Sequence, residues 1–172
     1  MASLMENLMD VLEKESAEYE VLLGLSMKKT PVIVAGDLEA LQNITDEEQA
    51  VVGRISHLEK QRGRVLKDIA NVTNRDVEKL KLVDLIQMLE GRPEESRKLA
   101  EIHDRLKAVT TSMQRVNEQN RELLTNALEM VEFDMNLLQS VKTAPETANY
   151  NKGAYTSGSL MGVGQNGFDA KQ

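Results

Sequence analysis

The strongest constraint on this chain is an apolar spacing that holds from residue 99 to residue 141. Leu99, Ile102, Leu106, Val109, Met113, Val116, Asn120, Leu123, Ala127, Met130, Asp134, Leu137 and Val141 follow one another at alternating steps of three and four. This is a heptad seam with only Asn120 and Asp134 polar, and it predicts one long helix over residues 93–141. From Leu124 a second stripe runs one residue over, through Leu128, Val131, Met135 and Leu138. Traced backward, that row meets Asn117, Gln114, Thr110, Lys107 and His103, so it is polar in the first half of the helix. The helix begins with one adhesive edge and ends with two. A single stripe needs one neighbouring helix, whereas a doubled stripe needs two neighbours, or one neighbour and a guest.

Two more long helices precede it. Residues 4–29 carry the rows Leu4, Leu8, Val11, Leu22, Leu25 and Met5, Met9, Leu12, Tyr19, Leu23, with Ser3 and Glu6 spaced as a capping box. Pro31 pushes Thr30 away from helical angles, which places a break there. The apolar stretch 32–35, a stop at Gly36 and an N-cap at Asp37 then read as the corner of a helical hairpin. The second helix, 38–72, follows the seam Leu41, Ile44, Glu48, Val51, Ile55, Leu58, Arg62, Val65, Ile69, Val72, whose polar members Glu48 and Arg62 must pair or reach solvent. Thr45 with Glu48 is an alternative capping box that would start this helix a turn or two later. Residues 77–90 read as one short amphipathic helix, closed by Gly91 and followed by Pro93 at the start of the long one. At about 1.5 Å per residue the long helix spans roughly 70 Å, against roughly 40 and 50 Å for the other two. Its surplus length is expected at the C-terminal end, where the stripe doubles.

At 172 residues the chain fits one helical bundle domain, 1–142, with a tail over 143–172 that holds five of the ten glycines and reads as flexible. Aromatic residues are only 3% and Trp is absent, so the core is aliphatic and filled by Met, as in an all-α elongated antiparallel bundle of three long helices and a short one. With no Cys, disulfides, Cys-based metal sites and thiol nucleophiles are excluded. The net charge of -7 argues against a nucleic-acid partner, which calls for clustered Lys and Arg. The first residues lack the basic start of a secretory signal and no apolar run approaches the roughly 18 residues of a span, so a cytoplasmic protein without membrane insertion is expected.

Chemistry-bearing motifs are few. Gly162, Gly164 and Gly167 form a literal Gly-x-Gly-x-x-Gly, but no strand precedes it and no acidic residue follows at the distance a dinucleotide site requires. Neither His57 nor His103 has a Glu three residues before it, so the Glu-x-x-His pattern of di-iron bundles is absent. The carboxylates are spread along helix exteriors with no acid and base pair among them. No catalytic residue, cofactor or metal site is expected, and the chain does not read as an enzyme. Asn120 in the seam reads as a register-setting amide, which lowers stability while penalising slipped pairings. Asp134 at a core position is expensive unless that end of the helix is open to water.

Taken together, several segments resemble the FlgN family of flagellar export chaperones, which hold the hook-filament junction proteins before secretion. The N-terminal block contributes Leu8, Leu12, Glu15, Tyr19 and Leu22-Leu23, followed by the turn Val34-Ala35-Gly36-Asp37-Leu38 with Leu41. Glu47 or Glu48, Ile55, Leu58-Glu59 and Arg62 continue the likeness to the run Asn117-Glu118-Gln119-Asn120-Arg121-Glu122-Leu123-Leu124, and the tail with Tyr150, Gly153 and Tyr155 completes it. The resemblance implies a non-enzymatic role: capture of C-terminal segments of the junction proteins, protection from premature assembly, and delivery to the type III export apparatus. It also implies a client site toward the C-terminal part, which falls on Leu123, Leu124, Leu128, Val131, Met135 and Leu138, with Tyr150 and Tyr155 as additions. A self-associating structural coiled coil, with the second stripe buried between copies, is the alternative.

Overall fold

The computed structural model describes residues 2–143. They are all-α, with no strand among them: α1 spans Ala2–Ala35, α2 Leu38–Thr73, a single 3-10 turn Val77–Lys79, α3 Leu82–Met88 and α4 Pro93–Thr143. The chain divides into two units, Met1–Val131 and Glu132–Gln172. The expectations for residues 144–172, including Tyr150, Tyr155 and the glycine motif, lie outside the described residues.

Within the first unit, α1 and α2 form an antiparallel hairpin: Arg62 of α2 pairs with Glu15 of α1, and further along Lys29 of α1 pairs with Glu48 of α2. The corner is two residues long because each does two jobs. Gly36 adopts φ +67, a left-handed conformation open to glycine at little steric cost. Its N–H donates to Ile33 O at 3.1 Å while the Asp37 N–H donates to Val32 O at 3.2 Å, which is a Schellman ending. Asp37 then caps α2, its Oδ1 accepting from the Ala40 N–H at 3.0 Å. The far end of α2 closes in the same way around Asn74 at φ 51, with Arg75 N–H donating to Ala70 O at 2.9 Å.

Four sequence expectations need correction. α1 does not break at Pro31 but continues to Ala35. A proline here removes the bond to the Met27 carbonyl. The turns on either side are nonetheless anchored: Ile33 is buried, and Thr30 Oγ1 donates to Asn120 Oδ1 at 2.7 Å. Ser3 lies inside α1 rather than capping it. Thr45 does not restart α2, because its hydroxyl donates back to Leu41 O at 2.8 Å within a continuous helix. Residues 77–90 are two pieces, not one. Leu80 and Lys81 are extended between them, and the Asp84 carboxylate accepts from the Lys81 N–H at 2.9 Å to start α3 afresh.

The core of the first unit is layered. One apolar cluster gathers Met5, Leu8 and Leu12 of α1, Ile69 of α2, Leu85 of α3 and Leu99 and Ile102 of α4. A second holds Leu22 and Leu25 against Val51 and Ile55, with Met113 of α4 packed on it. Between them in the sequence of α1 comes a polar layer. Glu15 is 0% exposed, and its Oε1 accepts from Arg62 Nη1 at 2.7 Å while Oε2 and the buried Ser16 Oγ have no partner. Burial pushes the Glu15 carboxyl above its ordinary value, with the Arg62 guanidinium opposing that rise and Glu59 adding to it. After the second cluster comes another polar layer. Ser26 Oγ donates to Glu48 Oε1 at 3.2 Å, and Asn120 Nδ2 donates to Ser26 O at 2.8 Å. The expected partners for Glu48 and Arg62 are therefore on α1, and Asn120 ties α4 to α1 at one register. Lys98 paired with Glu13 at 3.3 Å and Asn120 bonded to Ser26 show that α4 runs in the direction of α1.

Candidate partner-binding surface

Upstream in α4 the heptad seam is packed: Leu99, Ile102, Leu106, Val109, Val116 and Asn120 are buried. Past Asn120 no residue of α4 is buried. Leu123 and Ala127 are half-buried, and the later seam members Met130, Leu137 and Val141 are exposed. The seam keeps its spacing but loses its cover. Asp134 is exposed too, so the carboxylate at a nominal core position is solvated.

The second stripe splits between the two units. In the first, Leu124, Leu128 and Val131 are 36%, 64% and 54% exposed. With Ala127 they form one wall of an apolar groove of about 270 Å³. Val32, Ile33, Gly36, Asp37, Leu38 and Leu41, from the end of α1 and the start of α2, form the other. The sequence reads residues 32–37 as a hairpin corner and Leu38 and Leu41 as part of the second helix, with no site assigned to any of them. An available signal was the density of apolar side chains in 32–41, high for a solvent-facing turn. The continuation of α1 through Pro31 is what brings Val32 and Ile33 to the groove. In the second unit, Met135 and Leu138 are 56% and 62% exposed, and Phe133, Leu137 and Val141 around them are exposed as well. Phe133 was not among the sequence-derived site residues; it belongs to neither stripe, so periodicity does not select it.

Charge changes along α4 as burial does. Over 93–121, Glu94, Glu95, Glu101, Asp104 and Glu118 alternate with Arg97, Lys98, Arg105, Lys107, Arg115 and Arg121. Several are paired: Arg97 with Glu94 at 3.0 Å and with Glu101 at 3.4 Å, and Lys98 with Glu13. Over 122–141 there are Glu122, Glu129, Glu132 and Asp134 and no Lys or Arg. All four are exposed and, among the described residues, none takes part in an ion pair.

No cluster of His, Cys, Asp and Glu able to hold a metal occurs among the described residues, and no helix among them is long and apolar enough to cross a membrane. A helical bundle that buries one part of its longest helix and leaves apolar stripes on the rest presents the kind of surface through which proteins bind partners. The chain belongs to the FlgN protein family, whose model matches residues 1–158. This makes it a FlgN-type flagellar protein, of a chaperone and not an enzyme family, and supports a role of the flagellar export chaperone type. It is also 26% identical over 133 residues to the uncharacterized protein YvyG of Bacillus subtilis (strain 168), covering 77% of this chain and 76% of that one. No solved structure matches it.

Proposed function

We propose that this protein is a cytoplasmic chaperone of flagellar type III export that holds the C-terminal segments of hook-filament junction proteins. Its clients lie on the exposed stripe of Leu124, Leu128, Val131, Met135 and Leu138 and the half-buried Leu123 beside it, with Tyr150 and Tyr155 as further contacts, and pass from there to the export apparatus. The observation that carries this reading is the abrupt loss of burial along α4 after Asn120, in a helix whose apolar spacing continues unchanged.

The physical mechanism is helix-in-groove recognition. A client segment that is unfolded before assembly lays an apolar face on the stripe and orders as it binds. Burying four or five large side chains yields on the order of 10 kcal/mol gross, while ordering the segment costs about 2 to 5 and the loss of overall motion costs more. The balance permits roughly micromolar to tens-of-nanomolar affinity, which retains a client and still releases it. Met130 and Met135 suit a surface that adapts to more than one client. While the stripe is covered, the client's own assembly surface is unavailable to other subunits.

The test is a double substitution, Leu128→Glu with Met135→Glu, assayed by retention of purified junction proteins and by circular dichroism. Retention is expected to disappear with helicity nearly unchanged, since both side chains are exposed. Unchanged retention would remove the stripe from consideration as the client site.

A further inference from the structure

The exposed stripe is not electrically neutral, because carboxylates border it. Leu124, Leu128, Val131, Met135 and Leu138 occupy alternating a and d positions of a heptad on α4. In that register Glu132 and Asp134 fall at the e and g positions, one on each side of the stripe. Those are the positions from which charged side chains reach across to a packed helix and set its identity and orientation. Both are acidic, both are exposed and neither has an ion-pair partner among the described residues. Glu122 and Glu129 add two more carboxylates over 122–141, and the nearest cations on α4, Arg121 and Lys142, stand at the two ends of the stripe rather than beside Glu132 and Asp134.

We propose that the occupant of this face is a cationic amphipathic helix: one apolar stripe to cover Leu128, Val131, Met135 and Leu138, bordered by Lys or Arg that face Glu132 and Asp134. The proposal rests on the chaperone reading above and adds the chemistry by which a client is chosen. Apolar burial supplies most of the affinity and is indifferent to which amphipathic helix arrives. The flanking carboxylates discriminate, because an acidic-flanked helix sets like charges side by side while a basic-flanked one gains two short-range pairs. An anionic membrane surface is disfavoured by the same charges, since interfacial helices that bind such surfaces carry Lys and Arg on their polar face.

The test uses the full chain and synthetic peptides of about 18 residues, long enough for about five helical turns. Each has one leucine stripe, bordered by Lys, Gln or Glu, and a fourth peptide has the Lys composition with the stripe scrambled. By fluorescence anisotropy at about 50 mM salt, the Lys-bordered peptide is expected to bind roughly tenfold tighter than the Glu-bordered one, with Gln between. That preference is expected to shrink toward unity near 300 mM salt. It should also vanish in the Glu132→Gln/Asp134→Asn variant, whose affinity for the Gln-bordered peptide is expected to stay unchanged.

Equal binding of the three striped peptides, a preference that survives in the variant, or equal binding of the scrambled peptide would overturn the proposal. So would co-sedimentation with phosphatidylserine vesicles in preference to the peptides. If no peptide binds while junction proteins are still retained through Leu128 and Met135, this inference fails and the chaperone reading stands. If the Lys-bordered peptide binds selectively and purified junction proteins do not bind, the surface chemistry holds and the client assignment falls.

Discussion

The two parts of α4 on either side of Asn120 carry the same heptad spacing and meet different surroundings. Upstream, Leu99 and Ile102 are enclosed by α1, α2 and α3 in the first cluster, and charges of both signs alternate along the exposed faces. Downstream, no residue is buried, the apolar stripe has doubled and the charges between Arg121 and Lys142 are all negative. Heptad spacing records which side chains share a face; it does not record what covers them. The row beside the seam carries that information. Where it is polar, as at Thr110 and Asn117, the helix is satisfied by its own bundle. Where it turns apolar, as at Leu128 and Met135, an edge is left over.

The comparison breaks most visibly under truncation of a leucine in each part. Leu99 is fully buried, so Leu99→Ala should cost about 2 to 5 kcal/mol of unfolding free energy in urea. Leu138→Ala should change stability by less than about 0.5 kcal/mol while weakening client retention. Similar losses of stability for the two would mean that the downstream stripe is covered in solution, by a second copy of the chain or otherwise. Light scattering over a concentration series identifies the second-copy case. The junction between the two parts is the next largest effect. Asn120→Ala removes one buried bond to the Ser26 carbonyl and one partly buried bond from the Thr30 hydroxyl. A loss of about 1 to 3 kcal/mol is expected. A double-mutant cycle with Thr30→Val should recover part of it as coupling.

Much of this architecture is readable from residues whose chemistry allows one solution. Gly36 followed by Asp37 supplies a left-handed stop and a side-chain cap in succession, and the hairpin corner sits there. Pro93 opens α4 as its missing N–H allows. Pro31 misleads because the local rule is sound but outweighed: the anchors at Thr30 and Ile33 are long-range contacts that no window around residue 31 contains. Residues 77–90 mislead for a different reason. Leucine spacing there fits one helix, while the break depends on Asp84 capping the chain at Lys81. The stripe on α4 is visible as a pattern, but the second wall of its groove is not. Val32, Ile33, Leu38 and Leu41 come to it from the end of α1 and the start of α2, across a long-range packing in which Asn120 bonds α4 to Ser26 of α1.

A smaller effect separates stability from binding by a route that touches neither part of α4. Gly63 lies within α2 with open space around the position of a Cβ. Gly63→Ala should raise stability by about 1 kcal/mol through helix propensity and a less flexible unfolded chain. Client affinity should not move with it. A parallel change in both would show that binding draws on the softness of α2, and the division of labour drawn from α4 would be too simple.

The smallest expected effect is a slope rather than a level, and it tests the polar layer of the covered region. Burial raises the Glu15 carboxyl above its ordinary value despite the Arg62 guanidinium beside it. A group whose folded value is raised takes up a proton more readily in the folded state than in the unfolded one. Its contribution is therefore fully present below the unfolded value, near 4.5, and is lost as pH rises through the folded value. Measured by urea midpoints from about pH 4 to 7, wild type minus Glu15→Gln should rise as the pH falls, whatever the other carboxylates common to both chains contribute. A difference that falls instead would mean that the bond from Arg62 Nη1, 2.7 Å from Oε1, outweighs desolvation and keeps Glu15 ionised. The buried layer would then act as a salt bridge that holds α1 to α2 more firmly toward neutral pH.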